Sequence, residues 1–353
     1  MTLWTATALA GCASTDDLED RSFRDELGVE WHDLGPARTT SDYAAILNHR
    51  AADAVSSIDG PASGLDGVRM EGEDGRDYYA DPPDPELVTR LVASYDARLD
   101  EEPAAHVPTL DVFGGPGMAT AEQIVGGDQR TRVVFAGSHP FSAIGRYQIR
   151  FRAEDCPPEH PQGCQQQCTG TLISEHHVAT AAHCMYDRGA DAWIRGTTGP
   201  VRGEVCFPTA GCIAVTNRKF SSTWIGSGIN RARHDYAILR LASSPGVLRM
   251  GMSQITSDAS LRALTARNHG FPTDRTGLWG MTSCALTSVT SDRLTHNCDT
   301  TEGHSGGPVY YRTSGGSFFL LGIHSGGRGT LNGAARVAGS SIRSWLVTQM
   351  GRI

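Results

Sequence analysis

Apolar positions follow two regimes along the chain, and the change comes near residue 124. Upstream, residues 13 to about 123 are rich in Asp, Glu, Ala and Pro and hold few runs of strand character. Within them Leu87, Leu91, Val92, Tyr95 and Leu99 recur at helical spacing behind an acidic, Pro-bearing start. That pattern predicts an amphipathic helix over 84–100. Tyr43 to Val55 predicts a second. The stretch from Asp111 to Met118 contains Gly-Gly-Pro-Gly and reads as an exposed, flexible linker. Downstream, short apolar runs such as Cys168 to Ser174, Asp235 to Leu241 and Phe318 to His324 are separated by Gly, Pro and Ser. This punctuation predicts an all-β sandwich or barrel. The chain closes with Ile342, Trp345, Leu346 and Gln349 on one helical face, so a C-terminal helix should pack on the β structure. No internal repeat interrupts the pattern.

Composition sharpens this picture. The 41 glycines suit a fold of many tight turns between short strands better than a helical bundle. No run approaches the roughly 18 apolar residues that span a bilayer. A net charge of -8 gives no reason to expect nucleic acid or an anionic membrane as partner. Eight of the nine cysteines lie between Cys156 and Cys298, an even set that predicts disulfides made in an oxidising compartment. Cys12 stands apart in Leu9-Ala10-Gly11-Cys12, which resembles a bacterial lipobox; the segment before it is short and lacks Lys or Arg. Residues 1–12 are therefore read as a truncated signal segment. Lipidation at Cys12 and a plain secretory leader stand as the alternatives.

Three segments carry chemistry. Thr180-Ala-Ala-His183-Cys184 sets a His among small residues, and His234-Asp235-Tyr236 sets an Asp at the mouth of an apolar strand. Gly303-His304-Ser305-Gly306-Gly307-Pro308 sets a Ser in a glycine-rich turn. Hydrolysis by a hydroxyl needs a base for its proton, an anion to orient that base, and donors for the oxyanion. His183, Asp235 and the Gly303 and Ser305 N–H groups are candidates for these roles. Singly, each motif also suits a structural residue or a loop; together, in the order His, Asp, Ser, they suit a hydrolase.

In that order, and with gaps of 52 and 70 residues, they resemble the chymotrypsin-fold serine peptidases over residues 124–353. The resemblance implies two six-stranded antiparallel β-barrels with a C-terminal helix, preceded by a partly helical or disordered propeptide and linker (13–123). It implies peptide-bond hydrolysis through an acyl-enzyme, with protein or peptide substrates, no cofactor and no metal, by a monomer that is secreted or held at the cell envelope. It also pairs Cys168 with Cys184 beside the catalytic His. The pairs Cys206–Cys212, Cys284–Cys298 and Cys156–Cys164 follow only from proximity, among about 105 connectivities. Gly322-Ile-His-Ser-Gly-Gly327 is similar to the strand lining the primary pocket, where Ser325 would help hold Asp235 and Gly327 would leave the mouth open.

One departure narrows the branch. His304 precedes the Ser, where trypsin-like enzymes carry the Asp that receives the freed N-terminal amine. The glutamyl endopeptidases also lack that Asp, and Ile124-Val-Gly-Gly-Asp-Gln-Arg-Thr-Arg132 resembles their mature start. By that resemblance Ile124, Thr300 and His324 would bind an acidic P1 side chain, which needs donors and positive charge on burial. Asp299, six before the Ser, supports the opposing expectation of Arg/Lys selectivity, and Glu302 adds negative charge nearby. A non-catalytic binding protein on the same fold is the remaining alternative.

Overall fold

In the computed structural model, residues 22–43, 45–46, 67–100, 124–226, 231–328 and 331–352 are described. Cys12, the linker 111–118 and most of the Tyr43-to-Val55 segment lie outside them. Downstream of Ile124, the turn-punctuated apolar runs form strands that close into two barrels. In the first, the strands Ile144–Phe151, Cys164–Leu172, His177–Thr180, Ala237–Leu241, Gly211–Ser221 and Glu204–Phe207 pair in that antiparallel order, and the last returns to the first. The second runs Thr265–Gly270, Trp279–Val289, Arg293–His296, Leu331–Arg336, Phe318–Arg328 and Pro308–Arg312, closing in the same way. Closure leaves neither sheet a bare edge inside its ring. Ile149, Val178, Leu239 and Phe220 are buried in the first barrel, and Leu286, Leu294, Val309 and Leu321 in the second.

Four disulfides form: Cys156–Cys164, Cys168–Cys184, Cys206–Cys212 and Cys284–Cys298. The Cys168–Cys184 pair that the resemblance implied is present, and so are the three suggested by proximity.

The upstream region carries the expected helix, Pro85–Asp100, with Tyr95 buried and Leu91 and Val92 packed against the core; Val88 is buried as well, while Leu87 is half-buried. It also carries strands that the apolar pattern did not announce. Val68–Glu71 pairs with the Arg218–Ser221 end of the first barrel, and Arg76–Ala80, Glu30–Pro36 and Phe23–Arg24 follow outward. One hydrophobic core runs from Trp31 and Tyr95 through Trp193 and Phe220 to Trp345. The C-terminal helix Ser341–Gly351 buries Ile342, Trp345, Leu346 and Gln349 as expected. It also buries Arg343, Val347 and Thr348, because the helix Pro85–Asp100 packs on its other side.

Candidate active site

Strand register brings the first two candidate residues together. Ala237 pairs with Thr180 in antiparallel strands, so Asp235, two before Ala237, and His183, three after Thr180, emerge at the same end. His183 sits in the short turn Ala182–Cys184, and Cys184 is anchored through its disulfide to Cys168 on the adjoining strand. Asp235 is buried. Its Oδ1 accepts the His183 backbone N–H at 3.0 Å and its Oδ2 lies 2.6 Å from Nδ1. Two contacts from one carboxylate fix both the position and the tilt of the imidazole. With its proton on Nδ1, the ring carries its lone pair on Nε2.

Ser305 belongs to the second barrel but is held by the first. Thr169, on the strand Cys164–Leu172, donates its N–H to the Ser305 carbonyl at 2.8 Å. Its hydroxyl donates to the Gly303 carbonyl at 2.7 Å and accepts the Phe271 N–H at 2.9 Å. The Ser305 carbonyl also lies 3.8 Å from the Cys184 sulfur, which sets the Ser turn directly beside the His turn. That turn requires glycine. Gly303 has φ +98°, Gly306 has φ +81°, and a Cβ on Gly306 would overlap Thr180 Oγ1 and the Thr169 carbonyl. On the far side the Gly306 N–H donates to the His324 carbonyl at 2.7 Å, and the His324 N–H to the Gly307 carbonyl at 2.8 Å. The Ser305 turn and the strand Phe318–Arg328 are thereby one hydrogen-bonded unit.

His324 is fully buried in the strand Phe318–Arg328, with half-buried Ser325 and Gly327 following it. Its Nδ1 lies 3.3 Å from Nε2 of His296, a residue the motif reading passed over. Sheet register explains the pair: His324 is opposite Ala334 and His296 opposite Asn332, on the two flanks of one strand and on one face. Burial, then the nearby His324 and His304, hold His296 well below the usual imidazole range, so it is neutral. Thr300 is also fully buried, and its hydroxyl has no hydrogen-bond partner among the described residues.

Asp299 is otherwise engaged. Its Oδ1 accepts the Val125 N–H at 2.6 Å and its Oδ2 the Gln129 N–H at 2.7 Å. Burial pushes this carboxyl above its ordinary value, against the pull of the two N–H groups. The half-buried Ile124 is thus held near Asp299 through its neighbour Val125. Arg130, another residue the motifs did not flag, strengthens that tether. Its guanidinium is buried, pairs with Asp128 at 2.9 Å and Asp274 at 2.7 Å, and donates to the Thr301 hydroxyl. Although burial raises the Asp128 and Asp274 carboxyls, Arg130 hydrogen bonds and charge bring both below their usual range. His304, where trypsin-like enzymes have an Asp, folds back so that Nδ1 lies 3.0 Å from the Thr301 carbonyl. The segment 124–132 is therefore docked by Asp299 and Arg130 instead of by a carboxylate next to the Ser.

Residues 135–346 match the Trypsin family model. The chain is 29% identical over 230 residues to an extracellular metalloprotease of Bacillus subtilis, covering 63% of this chain and 69% of that protein. It is 29% identical over 197 residues to a glutamyl endopeptidase of Bacillus licheniformis, covering 55% and 56%, so it spans little more than half of that relative's length. A solved Glu endopeptidase in complex with MPD matches with a TM-score of 0.52 at 22% identity, over 64% of this chain and 99% of that one; the likeness is one of fold. The metal-binding side chains that converge among the described residues are Cys168, His183 and Cys184, and Glu204, Cys206 and Cys212. Both cysteines of each group are disulfide-bonded, so neither group offers the thiolates a metal ion would need.

Proposed function

The chain belongs to the Trypsin family, and from that premise we propose a serine endopeptidase of an oxidising, extracytoplasmic setting that cleaves after acidic residues. Ser305 Oγ attacks the scissile carbonyl while His183 Nε2 takes its proton and Asp235 holds the imidazolium through Nδ1–H. Gly303 and Ser305 N–H groups receive the oxyanion. Collapse of the tetrahedral intermediate breaks the C–N bond, and His183 protonates the departing amine. Water, deprotonated by His183, then releases the acyl group from Ser305. The Asp235–His183 contact at 2.6 Å, one turn from the clamped Ser305 segment, is the observation that carries this chemistry.

Acidic selectivity has separate support. With both Asp299 oxygens occupied by backbone N–H groups, that carboxylate is poorly placed to receive a substrate cation. The donors nearby are the unpartnered Thr300 hydroxyl and His324, whose Nδ1 faces a neutral His296. On protonation His324 donates Nδ1–H to His296 and offers Nε2–H to a substrate carboxylate. Cleavage just before Ile124 adds an ammonium to the same pocket, so the uncut chain should have little activity.

The test is a panel of Glu, Asp, Arg, Lys and Leu P1 substrates with wild type, Ser305→Ala and His324→Val. Ser305→Ala should lose turnover and phosphonate labelling by several powers of ten while its unfolding temperature holds. His324→Val should cut kcat/KM for Glu by about ten- to a hundred-fold, the loss of one charge-assisted hydrogen bond, and leave Leu nearly unchanged. Wild-type preference for Arg or Lys defeats the acidic pocket and leaves the triad standing.

A further inference from the structure

We propose that residues 22–100 are a permanent, non-covalent part of the enzyme, which stays docked on the first barrel after the chain is cut upstream of Ile124. The reading goes beyond the catalytic proposal and assigns the barrel a surface whose partner is the chain's own amino-terminal segment.

The main chain gives the first argument. Val68–Glu71 adds to the strand Gly211–Ser221 through four antiparallel pairs, Glu71 opposite Arg218 and Val68 opposite Ser221. Thr39–Thr40 adds in parallel to Ala192–Ile194 on a separate small sheet, with the Trp193 N–H donating to the Arg38 carbonyl at 2.8 Å and the Arg195 N–H to the Thr40 carbonyl at 2.9 Å. Departure of the segment would bare backbone donors and acceptors at both places.

Charge gives the second. Glu71 is fully buried, and the three guanidinium groups that pair with it all lie downstream of Ile124: Arg218 on the strand Gly211–Ser221, and Arg195 and Arg202 in the connection that follows Ala192–Ile194. Arg218 is itself fully buried, donates to the Ile194 carbonyl at 2.7 Å and lies over the Trp193 ring at 5.1 Å. Beside it, the buried Lys219 and Arg352 lie over the Trp31 ring at 5.3 and 5.4 Å, with Asp25 set against Arg352. If the segment left, Glu71, Asp25 and Trp31 would leave with it, and Arg218, Lys219 and Arg352 would lose the anions and the ring that face them, a heavy cost for any charge that stayed buried. Among the described residues, the carboxylate that pairs with all three arginines is supplied by the upstream segment.

Position gives the third. These contacts fall on the strands Gly211–Ser221 and Ala192–Ile194, and on the C-terminal helix, where Asp96 pairs with Arg343. The site is built from the turns at His183 and Ser305 and from the strand Phe318–Arg328. With the segment in place, the His183 side chain keeps 21% of its surface exposed. The pairings named here fall on elements other than those that carry His183 and Ser305.

The test uses the full chain carrying Ser305→Ala, so that it cannot digest itself and the result is independent of the catalytic reading. A site-specific protease sequence replaces residues 111–118, the chain is cut, and the product is run on size-exclusion chromatography in native buffer. Both pieces should share one peak in equal amounts, and Glu71→Ala should release the smaller piece at a lower urea concentration. A smaller piece that elutes alone, while the remainder keeps the unfolding temperature of the uncut chain, overturns the proposal. Hydrogen exchange on the uncut Ser305→Ala chain is the second measurement, since it needs no insertion. The Arg218-to-Ser221 amides should exchange as slowly as those of Ile144–Phe151, and exchange at the rate of an open edge strand overturns it as well.

Discussion

Asp299 shows how a single residue's meaning depends on its partners. By position it suits a pocket that binds Arg or Lys; in the fold its two oxygens accept N–H groups from Val125 and Gln129. Truncation should therefore act on the docking of the 124–132 segment and not on one class of substrate. Asp299→Ala removes the acceptor of two part-buried N–H groups, at about 1 kcal/mol each. It should lower kcat/KM for Glu and Leu substrates by similar factors. A selective loss of Arg and Lys cleavage, measured on the same panel, would contradict this account. His183, Asp235 and Ser305 stood out as candidates because each lies in a short local motif: small residues before His183, an apolar strand after Asp235 and glycines around Ser305. His296 was not, since no local pattern surrounds it; its pairing with His324 arises from register across the strand Leu331–Arg336.

At the scale of elements, the nucleophile turn depends on the first barrel as much as on its own glycines. Thr169 fixes it through two hydrogen bonds and ties it through a third to Phe271, and Gly306 passes so close to Thr180 and Thr169 that no side chain fits. Gly306→Ala combines a positive φ with that overlap, so the destabilisation should exceed about 1 kcal/mol. Activity should fall steeply with a lowered unfolding temperature, whereas Gly315→Ala, whose Cβ meets nothing nearer than Thr313 Oγ1 at 3.8 Å, should change neither. The C-terminal helix makes a related point. Its sequence marks one apolar face, yet Arg343, Val347 and Thr348 are buried too, because a second helix from far upstream covers the side the pattern leaves polar.

Across the whole molecule, the upstream segment and the barrels share a core and a buried ion cluster centred on Glu71. Burial alone would raise this carboxyl, but Arg218, Arg202 and Arg195 bring it below its ordinary value of 4.5. A depressed folded-state pKa contributes stability that is complete above about pH 4.5 and is lost as pH falls beneath it. Glu71→Gln should therefore be destabilised by about 3–5 kcal/mol near neutrality, and its unfolding temperature should fall less than wild type's between pH 5 and pH 3. Parallel pH curves for the two proteins would show that Glu71 contributes no such linkage. The sequence by itself determined the all-β class, the helix at 85–100, the C-terminal helix and the three catalytic candidates, because strand punctuation, helical periodicity and glycine-rich turns are local signals. Only the tertiary structure decided that the upstream strands extend the first barrel, that Asp299 and Arg130 hold the segment after Ile124, and that His296 backs His324. Each of these rests on a pairing between residues far apart in the chain, and strand register and buried charge are settled only when both partners are in place.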